Sequence, residues 1–261
     1  MNDILFLETV DSTNRVAREL AGAGKPHGYA VLAGSQNAGR GRLGKAWHSP
    51  AGNGLYCTII ARPELSVEAY SQITLTAGLA VSLVLEEMCQ LQIQLKWPND
   101  LCIGGRKCGG ILVETSSLQD ATEPHFALVG IGVNVNGDKA ALPLELRDTA
   151  TSIFIETGKE SELLGLFAGI RAKLLQLLSQ LAKEGFAEIL TRWRQRDMLA
   201  GQWMQWVTPA GNVVYGESLG VEEDGVLMVR DSSGVSHMVL SGDVTLAVKP
   251  FERPEKTEKI F

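Results

Sequence analysis

Ser35-Gln-Asn-Ala-Gly-Arg-Gly-Arg-Leu-Gly-Lys-Ala-Trp47 carries two nucleotide-binding patterns at once. Gly39, Gly41 and Gly44 have the G-x-G-x-x-G spacing of a dinucleotide-binding turn, and Gly39 through Lys45 spell most of a Walker phosphate loop. Both patterns work by setting a phosphate against the amino end of a helix that follows the glycines. Here the glycines run into Ala46-Trp-His-Ser-Pro-Ala-Gly-Asn-Gly54, where Pro50 and two more glycines oppose a helix. The next regular segment, Leu55–Ile60, reads as a strand, and Ala46 stands where the Walker pattern wants Ser or Thr. Neither fold follows from the loop. What remains is a backbone that glycine lets wrap close to a ligand, presenting Arg40 and Arg42 at alternate positions. Guanidinium forks suit a carboxylate or a phosphate. The plain alternative is a surface turn with exposed arginines.

Around this loop the pattern alternates between short strands and longer helices. Ile4–Glu8 reads as a strand, followed by N-cap candidates in Asp11-Ser-Thr-Asn14 and a helical spacing of Val16, Ala17, Leu20 and Ala21. Tyr29–Ala33 and Gly54–Ala61 are strands on either side of the loop. Ser66 is placed to cap a long helix to about Met88, and Ile93–Trp97 is a strand that Pro98-Asn-Asp100 stops. Lys107–Glu114 and Phe126–Asn136 are further strands, while Glu162–Leu181 and Phe186–Leu199 read as helices. After Gly201 the texture changes. Trp203–Val207, Val213–Ser218, Gly225–Arg230, Ser236–Leu240 and Val244–Val248 are short strands divided by turn residues, the spacing of a small SH3-like β-barrel. The last residues, 251–261, are rich in Lys, Glu and Pro and read as a solvated tail.

Three further strings stand out. In Lys96-Trp-Pro-Asn-Asp100, Pro98 favours an extended Trp97, and Asn99 and Asp100 are presented at a strand end, where α/β ligands often lie. In Arg106-Lys-Cys-Gly-Gly-Ile-Leu-Val-Glu114, simple alternation puts Lys107 and Gly109 on one face and Cys108 and Gly110 on the other. In Gly130-Ile-Gly-Val-Asn-Val-Asn136, one face carries Ile131, Val133 and Val135, and the other carries Gly130, Gly132, Asn134 and Asn136. A strand face stripped of side chains lets another backbone or a ligand approach. Each string alone has an ordinary reading as a turn, a bulge or a weakened strand.

Taken together and in this order, Asp11-Ser-Thr-Asn14, Gln36 with Ala38-Gly-Arg-Gly-Arg42, Lys96–Asp100, Lys107 with Gly110–Glu114, and Gly130–Asn134 closely resemble the biotin–protein ligase family. The resemblance covers residues 1 to about 248. It implies an α+β fold: a biotin/lipoate-ligase-type catalytic domain with a mixed β-sheet flanked by helices over 1–200, and an SH3-like domain over 201–250. It also implies the activity, in which biotin's carboxylate attacks the α-phosphate of ATP to give biotinyl-5′-AMP, and a lysine of a carboxylase carrier domain then takes the biotinyl group. Magnesium is implied with ATP. By the same resemblance Lys107, Arg42 and Asp100 are the catalytic candidates. Ser12, Thr13, Asn14, Gln36, Arg40, Gly41, Arg42, Lys107, Gly109, Gly110, Gly130 and Gly132 match positions around biotin. Arg42, Lys45, Trp47, Lys96, Asn99 and Asn134 match positions around the nucleotide. The chain departs from the family pattern at Leu43 and Lys45, where many members carry arginine.

Composition narrows the partners. A formal charge of −6 opposes a nucleic-acid binder, and a catalytic strand that begins near Ile4 leads us to expect no DNA-binding segment before it. Local potential rather than the net sum governs a small anion, so the basic loop is compatible with an acidic protein. Acids near the amino terminus oppose a signal peptide, and no membrane-spanning stretch is expected. The four cysteines show no C-x-x-C pair, which fits reduced thiols in a cytoplasmic protein. A homodimer and a monomer both fit the resemblance. The rival readings are a lipoate–protein ligase, which shares fold and adenylation chemistry, and a non-enzymatic biotin sensor.

Overall fold

A computed structural model describes residues 3–66, 68–116, 125–207, 213–239 and 244–246. The expected tail at 251–261 and the end of the Val244–Val248 strand lie outside them. The first unit is a seven-stranded mixed sheet built from β1 (Ile4–Val10), β2 (Ala30–Gln36), β3 (Gly54–Ala61), β4 (Gln94–Lys96), β5 (Asp100–Ile103), β6 (Arg106–Thr115) and β7 (Ala127–Asn134). Their spatial order is β1-β2-β3-β7-β6-β5-β4, with β1 parallel to β2 and every other neighbour antiparallel.

Alternation along the central strands sorts their side chains onto two faces. On β3 and β7, Leu55, Cys57, Ile59, Val129, Ile131 and Val133 enter one large core. That core is covered by α2 (Gln72–Cys89), α4 (Leu163–Glu184) and α5 (Ala187–Arg194). The opposite face buries Ile60 and Leu128 against Ala17 and Ala21 of α1 (Thr13–Gly22). Farther along the same face lie Gly130, Gly132 and Asn134, so α1 covers only part of it. The site sits where the helix stops and the side chains run out.

Residues 69–89 are long and apolar enough to cross a bilayer by length and composition, contrary to the expectation from sequence. Burial explains them otherwise. Helix α2 packs on α4 and the sheet, and its buried residues include Ile73, Leu79, Ala80 and Leu85. A helix apolar nearly all round is a core helix when protein surrounds it. Burying each of its larger aliphatic side chains contributes about 1.5–3 kcal/mol.

Several boundaries differ from the sequence reading. Ser66 does not cap the long helix; a 3-10 turn at Glu68–Ser71 precedes α2. Pro98 does stop the strand before it, but Asp100 opens the next one: Trp97-Pro98-Asn99 turns a hairpin from β4 into β5, with a cis Trp97–Pro98 peptide and Lys96 opposite Asp100. Helix α5 stops at Arg194 rather than running to Leu199. Segment 196–198 instead lies parallel to β4, where Leu95 N–H donates to Arg196 O (2.7 Å) and Met198 N–H donates to Leu95 O (3.0 Å). Those bonds cover the exposed edge of the sheet. A short helix, α3 (Ile153–Thr157), capped by the Ser152 hydroxyl accepting from Ile155 N–H, had no clear sequence signal.

The second unit is a five-stranded antiparallel sheet of β8 (Trp203–Val207), β9 (Val213–Val221), β10 (Leu227–Asp231), β11 (Ser236–Val239) and β12 (Val244–Leu246), in the order β11-β10-β9-β8-β12. Its buried residues Met204, Trp206, Val221, Leu227 and Val229 continue the large core. Two polar contacts tie it down at the same junction. Trp97 Nε1 donates to Gly225 O (3.0 Å), and Arg194 Nε donates to Val221 O (2.8 Å).

Candidate active site

The glycine-rich loop folds into a small hairpin. Arg40 and Ala46 bridge, Gly41 N–H donates to Lys45 O (2.7 Å), and Trp47 N–H donates to Gly39 O (2.9 Å). Its tip is a 3-10 turn at Arg42–Gly44, with Leu43 in the left-handed region (φ 55°) and 67% exposed. No helix follows, in keeping with rejection of both phosphate-loop patterns. Gly39 has to be glycine because an added Cβ would strike Trp47 O.

This hairpin forms one side of a cavity of about 570 Å³. Other walls come from the amino end of α1 (Ser12, Thr13, Asn14), the β4–β5 hairpin (Lys96, Asn99, Asp100), β6 (Lys107, Gly110) and β7 (Gly130, Gly132, Asn134). Arg40, Gly41, Arg42, Lys45, Trp47 and Gln36 complete the set named from sequence. Gly109 is the exception. It does not line the cavity, and a side chain there would meet Leu101. The reason is a β-bulge: Leu101 pairs with Gly109, but Cys102 pairs with Lys107, which leaves Cys108 as the extra residue. The bulge corrects the simple alternation and brings Lys107 to the side of Gly110, whose missing side chain would lie 3.6 Å from Lys107 Nζ.

The two ends of the cavity differ in chemistry. At the α1 end, uncharged donors and acceptors are held in a buried network. Thr13 N–H donates to Gln36 Oε1 (2.9 Å), and Gln36 Nε2 donates to Ser49 Oγ (2.9 Å). The Thr58 hydroxyl donates to Asn14 Oδ1 (2.6 Å). Asn14 presses on Gly130, and Trp47 lies over Gly132, whose added Cβ would sit 2.5 Å from the indole nitrogen. That nitrogen is buried and has no hydrogen-bond partner among the described residues. At the other end Arg42 donates to Asn99 Oδ1 (3.2 Å), while Asn99 Nδ2 donates to Ile111 O (3.0 Å). Lys107 Nζ contacts Asp100 Oδ1 at 2.5 Å and lies 5.5 Å from the centre of the Trp47 ring, within cation–π range.

Among the described residues, five Lys or Arg side chains line the cavity against two carboxylates, Asp100 and Asp148. A protein of formal charge −6 therefore concentrates positive potential here. Burial pushes the Cys57 thiol up to about 12 and the Cys102 thiol up to about 11, so neither wall cysteine is a thiolate nucleophile at neutral pH. Among the described residues no group of three His, Cys, Asp or Glu could hold a metal ion.

Sequence reading missed one wall. Leu142, Pro143, Leu146, Asp148 and Thr149 line the cavity from a segment between β7 and α3. Its end is pinned to the site: Lys107 N–H donates to Thr149 O (2.9 Å), Thr151 N–H donates to Lys107 O (2.8 Å), and Asn134 Nδ2 donates to Thr151 O (3.0 Å). The available signal was length, since a long connection with no α-helix or strand is commonly functional.

Known proteins resemble this chain in the same regions. Residues 6–134 match the model of the biotin/lipoate A/B protein ligase family. The bifunctional ligase/repressor BirA of Bacillus subtilis is 34% identical over 243 residues, which are 93% of this chain and 74% of that protein. The biotin–[acetyl-CoA-carboxylase] ligase of Paracoccus denitrificans is 35% identical over 235 residues, 88% of this chain and 95% of its own. Among solved structures, the biotin protein ligase from Aquifex aeolicus in complex with biotin and ATP superposes with a TM-score of 0.81 at 29% identity, covering 95% of this chain and 99% of that one. A cavity with a bare glycine wall and a cationic end, a glycine loop with no helix after it, and a relative 35% identical and matched over 95% of its length agree: this chain belongs to the biotin/lipoate A/B protein ligase family.

Proposed function

We infer that this chain is an ATP-dependent biotin–protein ligase that forms biotinyl-5′-AMP and passes the biotinyl group to a specific lysine of a carboxylase carrier domain. One observation carries the reading. A single cavity joins a glycine-walled, uncharged end suited to a neutral ring and an apolar chain with an end where Arg42, Lys45, Lys96 and Lys107 gather. Biotin needs the first and a triphosphate needs the second.

In the first step a carboxylate oxygen bonds to the α-phosphorus, and pyrophosphate leaves with the electron pair of the broken P–O bond. Two anions must approach, so fixed cations are the main requirement. Lys107 and Arg42 meet it. Arg40 and Gly41 close the acid-binding side, while Ser12, Thr13, Asn14 and Gln36 address the ureido ring. Gly110, Gly130 and Gly132 let Lys107, Asn14 and Trp47 draw in against the sheet as the wall beside the chain, and burying the chain's four methylenes contributes about 3 kcal/mol before ordering costs. Trp47, Asn99 and Asn134 face the nucleotide. Gly109 acts by letting β6 pack closely against Gly132 O of β7 and the Leu101 side chain.

In the second step the carrier amine attacks the acyl carbon and AMP leaves. The amine must first lose a proton, since only about 0.1% of a lysine of pKa 10.4 is neutral near pH 7.4. Asp100 is the acceptor we assign. Its carboxylate lies 2.5 Å from the Lys107 ammonium; with Lys107 turned to the substrate anions, it is available to the incoming amine. Magnesium would enter this site on the triphosphate and would neutralise part of its charge, and within the described residues the wall carboxylates that could reach it are Asp100 and Asp148.

The same reading divides the chain into a catalytic domain over 1–200 and an SH3-like domain over 201–250. The five-stranded antiparallel sheet supports it. Four unpaired cysteines favour a cytoplasmic setting.

The test is incubation with biotin, ATP, magnesium and a purified carrier domain, followed by intact mass. Gain of one biotinyl group is expected, and no gain with lipoate. A gain with lipoate alone would reassign the substrate within the family, and no gain with either acid would overturn the reading.

A further inference from the structure

Glu114 lies outside the cavity, near the carboxyl end of β6, yet it connects the cavity floor to the glycine-rich loop. Its Oε2 accepts from Asn14 Nδ2 at 2.7 Å and from the Arg40 guanidinium at 3.1 Å, and Arg18 stands 3.6 Å from Oε1. The side chain is 23% exposed, so solvent screens these pairs only in part. Asn14 is buried and has little freedom. Its Oδ1 takes the hydroxyl of the fully buried Thr58, and it presses against Gly130. With its carbonyl side engaged, the Asn14 amide donates to Glu114 Oε2 (2.7 Å) and, at 3.5 Å, to Leu112 O, so both N–H groups face β6 and the shorter bond anchors the Glu114 carboxylate.

We propose that Glu114 is a positioning residue that holds the 39–47 loop closed over the acid-binding end of the cavity, by gripping Arg40 with an oxygen already anchored by Asn14. Arg40 is flanked by Gly39 and Gly41, so the backbone on either side has few side-chain contacts of its own. A charge-assisted bond from β6 then sets where the loop rests. The network runs from Ser49 at the loop's exit through Gln36 and Thr13 to Thr58, Asn14, Glu114 and back to Arg40. A ligand seated against Thr13 and Asn14 is thereby linked to the loop that covers it. The functional consequence, retention of biotin and its adenylate, rests on the ligase reading; the structural one, loop closure, does not.

The test uses Glu114→Gln, which keeps an acceptor for Asn14 and removes the charge. In the ligand-free protein, exchange of the Gly41 and Trp47 amides is expected to rise about three- to tenfold. Raising salt from low to about 1 M is expected to speed the same amides in the unaltered protein and not in the variant. Arg18→Ala, which removes the other guanidinium from the carboxylate, is expected to leave them unchanged. With ligand, biotin dissociation is expected to quicken about three- to tenfold while kcat at saturating biotin and ATP changes less than twofold. Unchanged loop exchange in a folded Glu114→Gln protein would overturn the proposal, as would an equal rise in Arg18→Ala or a fall in kcat with no change in dissociation. Failure of the unaltered protein to bind biotin would instead remove the ligase reading and leave the exchange result standing.

Discussion

At the scale of single residues, the site is organised by where positive charge is held before any anion arrives. Lys107 is pinned at its backbone by Thr149 and Thr151 and at its ammonium by Asp100. A lysine so placed costs little to reorganise when a carboxylate and a phosphate meet beside it. Lys107→Met is therefore expected to lower kcat/KM for biotin-dependent pyrophosphate release by about 10- to 150-fold, the equivalent of losing a charge-assisted contact of about 1.5–3 kcal/mol. Release at the unaltered rate would remove Lys107 from the first step. The lysine and the neighbouring glycines were legible as unusual residues in a strand. Which glycine shares a face with the lysine was not, because the bulge at Cys108 is a property of two paired strands and strict alternation assigns Gly109 instead.

At the scale of elements, β7 does two jobs with its two faces. Val129, Ile131 and Val133 fill the large core, while Gly130 and Gly132 leave the other face bare for Asn14 and the Trp47 indole. Gly132→Ala drives a methyl group into that indole at 2.5 Å and narrows the wall proposed for biotin. Overpacking of this kind costs about 1–3 kcal/mol. Biotin affinity measured by calorimetry is expected to fall about tenfold, and the melting temperature to fall by about 2–10 °C. Equal affinity in the variant would place the ligand elsewhere. This bare face could be read from the sequence, since Gly-Ile-Gly-Val-Asn alternates in register with the pleat. The β4–β5 hairpin could not, because Pro98-Asn-Asp looks like a stop until β6 is present to receive β5.

For the whole molecule, the revealing region is the junction of the two sheets. Segment 196–198 covers the edge of β4, the Trp97 indole donates to Gly225, and Met198 reaches the cavity wall. Asp197 lies at this junction with one oxygen accepting from Leu199 N–H and the other buried without a partner among the described residues. Burial raises its pKa from the usual carboxylate range to about 6. The fold therefore favours its protonated form: the stability it contributes is complete below about pH 4 and is lost as pH rises through about 6. Asp197→Asn is expected to add about 1–2 kcal/mol to the unfolding free energy at pH 7.5 and to flatten the decline between pH 4 and 6. Urea unfolding at about pH 4, 6 and 7.5 checks this; an unchanged pH profile would show that the carboxylate ionises without penalty.

The sequence by itself determined the class of chemistry. Glycine spacing followed by Pro50 excluded the phosphate loops, the ordered strings around Arg42, Asp100, Lys107 and Gly130 pointed to the ligase family, and period-two alternation marked both faces of β7. These signals are local: each depends on a few adjacent residues and on backbone rules that hold anywhere. Only the tertiary structure decided what meets across space. It put Lys107 beside Gly110 and Asp100, brought Leu142 to Asp148 in as a wall, carried α2 into the core instead of a bilayer, and set Glu114 against Arg40, 74 residues away in the chain. Such contacts arise from strand pairing and helix packing between distant segments, and a window of neighbouring residues contains no information about them.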